Sequence, residues 1–189
     1  GHIWFVLIIA TFILPTQVML VPRYVMFYNM GMVNTVFVQY VPAILGQGIK
    51  SAIFILVFYQ YFSTYPKSFD EAAELDGAGK FQIFIKIALP IAASAILLCF
   101  LFSLVWYWNE TYQSNYMFGA KIPTLPLKLN SFTTLYKAQY GSGASVASDP
   151  NESVALAGTL LSILPMVVLY IICQRKFIAS IEQSGITGE

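Results

Sequence analysis

Charged side chains are scarce in this chain of 189 residues. Only 10% of the residues are Asp, Glu, Lys or Arg and 58% are hydrophobic, whereas a soluble domain carries about 25% charged residues. The mean hydropathy is +0.69. This composition cannot form a surface that faces water throughout, which excludes most soluble enzymes. The formal net charge of +1 lacks the basic excess with which proteins bind nucleic acid, so no nucleic-acid partner is expected.

Histidine and cysteine are almost absent as well. His2 is the only histidine, and the two cysteines, Cys99 and Cys173, lie in separate apolar runs. A histidine-based catalytic dyad or metal site therefore lacks its ligands. Neither cysteine has the spacing of a metal site or of a disulfide framework. We predict buried structural thiols, no metal site, no catalytic residues and no cofactor.

The charged residues leave five long stretches of the chain without any charge. No Asp, Glu, Lys or Arg occurs in 1–22, 24–49, 51–66, 87–109 or 153–174. A helix needs about 20 largely apolar residues to cross the hydrocarbon core of a bilayer, and lipid offers the backbone no hydrogen-bond partners. The sequence therefore predicts an all-α integral membrane protein, a polytopic helical bundle with four spans: Ile3–Val21, Val36–Phe62, Ile91–Trp108 and Val154–Cys173.

Proline lies inside three of these spans, at Pro15, Pro42 and Pro165. Proline removes a helical hydrogen bond and bends the helix, and neighbouring helices then satisfy the freed carbonyl groups. Gly46 and Gly48 follow Pro42 closely, so a bent second span is expected. Its bend is either an ordinary kink or a functional hinge.

One loop between two spans carries much of the charge. Seven of the nineteen charged residues fall in 67–86. Ser68 and Glu71 have the spacing of a capping box, so a helix is predicted to start near Phe69. Gly77 is placed to end that helix.

A second helix is predicted to follow the glycine turn, from Gly79 or Lys80. Its apolar residues recur at helical spacing and form one stripe: Phe81, Phe84, Ile85 and Ala88. A polar helix, a turn and an amphipathic helix between two spans can present one turn of helix to another protein. The alternative is a solvated connecting loop.

The residues of this loop resemble the EAA motif of ABC-importer permeases. The matching positions are Glu71, Ala72, Ala73, Gly77, Ile87, Leu89 and Pro90. Further similarities to the maltose-permease-like branch are Trp108-Asn109-Glu110, Thr124-Leu125-Pro126, Pro165 and Gln174-Arg175. By this resemblance the chain is identified as a type I ABC-importer permease of the carbohydrate-uptake branch. That branch usually has six spans and this sequence resembles the last four, so it is expected to lack the first two.

The resemblance implies a multi-pass permease subunit in the plasma (inner) membrane of a bacterium or archaeon. Residues 1–189 would form a single permease domain, with 67–90 as the cytoplasmic coupling loop. Its partners would be the lipid bilayer, a second homologous or identical permease subunit, two separate ATPase subunits and an extracytoplasmic solute-binding protein. ATP hydrolysis would belong to the ATPase chains. The residues expected to couple to the ATPase are Glu71, Ala72, Ala73, Asp76, Gly77, Ile87, Leu89 and Pro90.

The resemblance also gives each group of these residues a role. Glu71, Ala72 and Ala73 would form the turn that docks on the ATPase. Gly77 would make the bend before the second helix. The return into the span would be set by Ile87, Leu89 and Pro90.

Substrate contacts are predicted from polar groups at membrane depth. Lys50 lies inside the long second span beside Gln47, and an ionisable residue at that depth indicates a cavity or a partner charge. The alternative is that the span starts near Ile49 and the Lys50 side chain reaches to the interface. The complete predicted substrate path is Lys50, Gln47, Tyr59 and Asn109.

Aromatic residues cluster near the outer end of the third span, from Trp106 to Phe118. They suit stacking on a sugar, but an interfacial aromatic belt also explains them. Two alternative functions stay open on the sequence alone. One is a type I permease for a solute other than a sugar. The other is a membrane-embedded enzyme, although the charge-free stretches hold no cluster of catalytic polar groups.

Overall fold

The computed structural model describes residues 2–119, 121–140 and 152–186. Within those ranges every regular element is helical, which confirms the all-α prediction. The helices are α1 His2–Ile13, α2 Thr16–Asn29, α3 Phe37–Ile44, α4 Ser51–Ser63, α5 Ser68–Leu75, α6 Lys80–Ile83, α7 Leu89–Ile91, α8 Ala93–Trp108, α9 Tyr112–Phe118, α10 Leu125–Asn130, α11 Phe132–Tyr140 and α12 Glu152–Ile186. A single π-helical segment, Phe84–Ala88, joins α6 to α7.

The predicted first span is divided into two helices. Phe5–Ile13 and Thr16–Asn29 meet at an angle of 100°. Pro15 stands between them in an extended conformation, with φ −61° and ψ 130°. The bend predicted at Pro15 is confirmed. The predicted span Ile3–Val21 is thus interrupted, because the proline residue ends one helix and precedes the next.

The predicted second span is also interrupted. α3 ends at Ile44 and α4 begins at Ser51. Between them Gly46 and Lys50 have φ angles of +73° and +54°, which no helix accommodates. The predicted span Val36–Phe62 therefore consists of two helices, and the expected bend near Gly46 and Gly48 is confirmed. We call residues 45–50 the α3–α4 break.

The third and fourth spans are closer to their predictions. α8 covers most of Ile91–Trp108 and lies at 68° to the helical stretch Lys80–Ile91. α12 contains the apolar stretch Ala155–Arg175 and continues as helix through Pro165. In the described ranges one helix is long and apolar enough to cross a membrane alone, and up to three spans result if each bent pair counts as one. The prediction of four spans is not confirmed by this count.

Two groups of buried side chains position the loops described below. Small residues are buried from the end of the π-helical segment into α8, among them Ala88, Ala92 and Ala95, and α8 packs against α4 and α12. A second cluster joins α2, α3 and α9: Leu20, Phe27, Val38, Met117 and Phe118. Most large apolar side chains of α12 are exposed, Leu161 by 71% and Ile172 by 71%. Such a surface suits lipid or other membrane helices better than water.

Both cysteines are free thiols. Cys99 is buried on α8, as predicted, whereas Cys173 on α12 is only partly buried. Among the residues that the structure describes, no group of His, Cys, Asp and Glu side chains is arranged to hold a metal ion.

Candidate functional site

The charged loop folds into the helix, turn and helix that the sequence predicts. Gly77 has φ +81° and follows the last turn of α5. The Gly77 N–H donates to the Glu74 carbonyl at 3.0 Å and the Ala78 N–H donates to the Ala73 carbonyl at 2.9 Å. These two bonds are the paired C-terminal bonds of a Schellman motif. Gly77 therefore ends α5, as predicted.

The N-terminus of α5 is not capped in the way that the sequence predicts. The N-cap residue is Lys67, and no side chain caps the helix. Ser68 is already helical, so the capping box of Ser68 and Glu71 was wrong. Two acidic residues in the first turn, Asp70 and Glu71, instead interact favourably with the helix dipole.

A tyrosine fixes the first turn of α5 to the segment before it. The Tyr65 hydroxyl donates to the Asp70 carboxylate at 2.9 Å. Partial burial and this hydrogen bond raise the pKa of Tyr65 above its usual value, because both favour the neutral phenol. The connection therefore orients α5 relative to the end of α4.

The docking residues predicted on α5 divide between two faces. Ala73 is only 8% exposed because it faces its own chain. Glu71, Ala72, Leu75 and Asp76 are exposed, and Leu75 reaches 90%. We call these four residues the α5 docking face.

The second helix does not bury the stripe that the sequence predicts. Phe81 is 76% exposed, and Phe84 and Ile85 are also exposed. Of the predicted stripe only Ala88 is buried, and it is joined by Ile83, five residues before it. The π-helical segment explains this spacing because its hydrogen bonds join residues i and i+5. A regular α-helical period was therefore the wrong assumption at this point.

The residues predicted to return the chain to the membrane lie at the end of this π-helical segment. Ile87 is half-buried, while Leu89 and Pro90 are exposed. One residue later, the Ile91 carbonyl accepts a hydrogen bond of 2.5 Å from the hydroxyl of Tyr61 in α4. This hydrogen bond connects α4, which precedes the loop, to the helix that follows it.

A cleft of about 570 Å³ lies where the two helix breaks face each other. It is bounded by α1, the start of α2, the α3–α4 break and the start of α4. Two of the four predicted path residues, Gln47 and Lys50, line it. The Lys50 ammonium lies 4.7 Å from the ring centroid of Trp106, a cation–π contact.

The other two predicted path residues lie elsewhere. The Tyr59 ring contacts the Phe5 ring at a tilt of 30°, with centroids 4.3 Å apart. The Asn109 amide donates to the Val105 carbonyl at 2.9 Å and closes the end of α8. The structure does not bring either of them to the cleft.

Sequence reasoning missed two residues that hold the α3–α4 break in place. The guanidinium of Arg23 donates to the Gln47 carbonyl at 2.9 Å. The Ile49 N–H donates to the hydroxyl of Tyr107 at 3.2 Å. Arg23 could have been found, because it and Lys50 are the only charged residues before position 67. Nothing local marks Tyr107, whose partner is 58 positions away.

The Trp108-Asn109-Glu110 motif connects three helices. The Trp108 indole donates to the Ser162 carbonyl of α12 at 3.2 Å. The carbonyl of the residue before Ser162 lacks its helical partner, because Pro165 has no N–H. The Glu110 carboxylate accepts a hydrogen bond of 2.6 Å from the Gln113 N–H at the start of α9. With Asn109 at the end of α8, the motif has a structural role here.

A second, more open groove of about 750 Å³ lies between α9 and the helices α10 and α11. Tyr112 and Tyr116 line it, with ring centroids 5.5 Å apart. They belong to the aromatic cluster near the predicted outer end of α8. A sugar-stacking surface and an interfacial belt both fit this geometry.

Comparison with known proteins identifies a family that matches the sequence and a solved structure that is similar in fold. The family described as "binding-protein-dependent transport system inner membrane component" matches residues 1–178. The arabinooligosaccharides transport system permease protein AraQ of Halalkalibacterium halodurans is 28% identical, over 99% of this chain and 61% of its own length. The melibiose/raffinose/stachyose import permease protein MelC of Bacillus subtilis is 30% identical, over 97% of this chain and 62% of its own.

A solved structure extends the similarity to the fold. It is the crystal structure of a bacterial ABC transporter involved in the import of the acidic polysaccharide alginate. The TM-score is 0.61 at 25% sequence identity, over 83% of this chain and 55% of the matched one. The chain thus spans 61% and 62% of the length of the two curated relatives. Because the family match covers residues 1–178, the chain belongs to the binding-protein-dependent transport system inner membrane components, which confirms the permease family predicted from its EAA motif.

Proposed function

We propose that this chain forms half of the transmembrane pathway of an ABC importer for a sugar and couples closure of its ATPase subunits to transport. The observation that carries the proposal is the α5 docking face, presented by a helix of eight residues that a Schellman turn ends at the EAA glycine. The printed names of the relatives, an arabinooligosaccharide permease and a melibiose/raffinose/stachyose permease, support a sugar as the solute.

The family supports the assembly in which this subunit would work. A second permease subunit would complete the pathway in the bacterial or archaeal plasma membrane. Two ATPase subunits would bind the coupling loops on the cytoplasmic side, and an external binding protein would deliver the sugar. In this arrangement Glu71 pairs with a basic group of the ATPase while Leu75 fills an apolar recess of its cleft.

Transmission from the ATPase to the membrane would use the two ends of the loop. The Schellman turn at Gly77 holds α5 at a defined angle to the second helix. The hydrogen bond from Tyr61 to the Ile91 carbonyl connects α4 to the start of α8. A shift of α5 would then move α4 and α8 together rather than bend the loop alone, as coupling between two sites requires.

The first test is whether the permease co-purifies with its ATPase subunits. The second is ATPase activity in proteoliposomes, measured in the presence and in the absence of sugar-loaded binding protein. Ala72→Leu adds bulk to the exposed docking face and is expected to abolish co-purification. Ala93→Leu makes the same change at an exposed position of α8 and is the matched control, expected to behave as the native protein. ATPase binding that survives both Ala72→Leu and Leu75→Glu would contradict the proposed role of α5.

A further inference from the structure

We propose that the cleft beside the α3–α4 break binds the carboxylate of an acidic saccharide, so that the transported solute is a uronate-containing oligosaccharide. The inference rests on the proposed function and names the substrate class of its pathway. Four observations support it: the charge of the cleft, the way its two cations are held, its depth and its remaining polar groups.

The cleft is cationic without any compensating acid. Arg23 and Lys50 line it, and its lining contains no Asp or Glu. Residues 1–69 contain no acidic residue at all. In the described ranges neither cation has a carboxylate within ion-pair distance. Charged groups at membrane depth are costly unless they are paired or face a water-filled path, so an anionic solute would complete this site.

Both cations are held beside the same backbone segment. One guanidinium nitrogen of Arg23 donates to the Gln47 carbonyl, which orients the group and leaves other N–H donors of its fork free for a carboxylate. The Lys50 ammonium rests on the Trp106 ring, a weaker partner than a carboxylate. Lys50 also immediately precedes α4, whose N-terminus adds partial positive charge.

The depth of the cleft favours a transported solute over a lipid headgroup. α4 has 13 residues, which at 1.5 Å per residue span about 20 Å. The hydrocarbon core is about 30 Å thick. The charged loop that follows α4 lies in water at one side of the membrane, so Lys50 at the other end of this short helix does not reach the opposite headgroup layer.

The remaining polar groups of the cleft suit a sugar. Hydroxyl and amide side chains line it together with the cations: Thr11, Thr16, Gln17, Gln47 and Ser51. Such groups exchange hydrogen bonds with saccharide hydroxyls. The volume of about 570 Å³ lies within the range of about 300–1,000 Å³ that is usual for ligand pockets.

The experiment compares two probes that differ in their carboxylates, trigalacturonate and neutral galactotriose. The permease, assembled with its partner permease and ATPases in phosphatidylcholine vesicles, is titrated with each probe. Binding is measured by isothermal titration calorimetry for every variant, and tryptophan fluorescence is recorded in parallel for the native protein and Trp106→Phe. A carboxylate that draws Lys50 from Trp106 changes the emission, and Trp106→Phe should remove that response. We expect Lys50→Gln to weaken trigalacturonate binding by about 10- to 100-fold and to leave galactotriose unaffected.

Two control variants separate charge from folding. Lys50→Arg keeps the charge and should retain trigalacturonate binding. Lys121→Gln removes an exposed cation outside the cleft and should match the native protein. Equal affinity of the native protein for both probes, or trigalacturonate binding unchanged in Lys50→Gln, would overturn the proposal. So would a fluorescence response to phosphatidylglycerol but not to trigalacturonate, which would assign the cations to lipid.

Assembly and ATPase activity distinguish failure of this inference from failure of the proposed function. A complex that binds its ATPases and transports only neutral oligosaccharides would retain the permease function and refute the acidic substrate. A chain that binds no ATPase subunit would refute both.

Discussion

Substitution of Gly77 tests whether the backbone angle at the end of α5 is needed for coupling. A Cβ added at Gly77 would meet no atom within 4 Å, so any cost within this chain comes from the backbone alone. At φ +81° a residue with a Cβ pays about 1–2 kcal/mol, which lowers the population of the native turn by about 5- to 30-fold. A β-branched residue costs more because its side chain is stiffer.

Three substitutions separate backbone strain from bulk. Asn tolerates positive φ better than other residues with a Cβ, although it is larger than Ala. Strain therefore predicts that sugar uptake per ATP hydrolysed falls in the order native, Gly77→Asn, Gly77→Ala, Gly77→Val. A clash with the ATPase would instead make Gly77→Asn worse than Gly77→Ala. Gly79→Ser is the matched control, because Gly79 has φ −72° and no atom within 4 Å of an added Cβ.

The assay is uptake of labelled sugar into proteoliposomes with ATP hydrolysis measured in the same samples. Gly79→Ser should keep the native ratio of uptake to hydrolysis, since serine suits the N-cap position of α6. Gly77→Val should hydrolyse ATP with little uptake. Native transport in Gly77→Val would refute the reasoning that this turn transmits the movement of the ATPase.

Three further predictions concern contacts between helices. Tyr61→Phe removes the hydrogen bond to the Ile91 carbonyl and is expected to lower uptake per ATP while co-purification of the ATPase is unchanged; equal loss of both would place Tyr61 in folding instead. Gly48→Ala places a Cβ 2.5 Å from the Tyr107 hydroxyl and 3.0 Å from the Ala43 Cα, so it should lower the thermal unfolding temperature in detergent, with a cost of about 1–3 kcal/mol. The double variant Gly48→Ala/Tyr107→Phe should recover part of this loss. If the effects of the two substitutions on stability are strictly additive, the contact between the new Cβ and the Tyr107 hydroxyl is not the cause. Trp108→Phe keeps an aromatic ring but loses the bond to Ser162 of α12, and should cost about 1 kcal/mol of unfolding free energy, whereas an unchanged unfolding temperature would argue against that bond.

Local signals predicted the turns better than they predicted the continuous helices. The end of α5 was predictable because Gly77 acts through its own backbone conformation. The break at Pro15 was predictable for the same reason, since proline lacks an N–H. Hydropathy alone predicted the second span as one element, because apolar composition does not reveal the positive φ angles of Gly46 and Lys50.

The cleft could be predicted only in part. Gln47 and Lys50 were singled out because they are polar groups in an apolar stretch. Arg23 and Tyr107 reach the same segment from α2 and α8, and contacts at such sequence separations leave no periodic pattern. Tyr59 and Asn109 were included for their polarity, but Tyr59 contacts Phe5 of α1 and Asn109 bonds to the end of its own helix.

The π-helical segment Phe84–Ala88 also determines the direction in which the coupling loop points. Each residue of an α-helix turns the chain by about 100°, since 3.6 residues complete a turn. Deletion of one residue from the segment would restore regular α-helix and rotate α5 and its exposed Leu75 by about that angle around the axis of the second helix. The docking surface would keep its own structure but face away from its partner, so the orientation of the loop depends on this one extra residue as well as on the turn at Gly77.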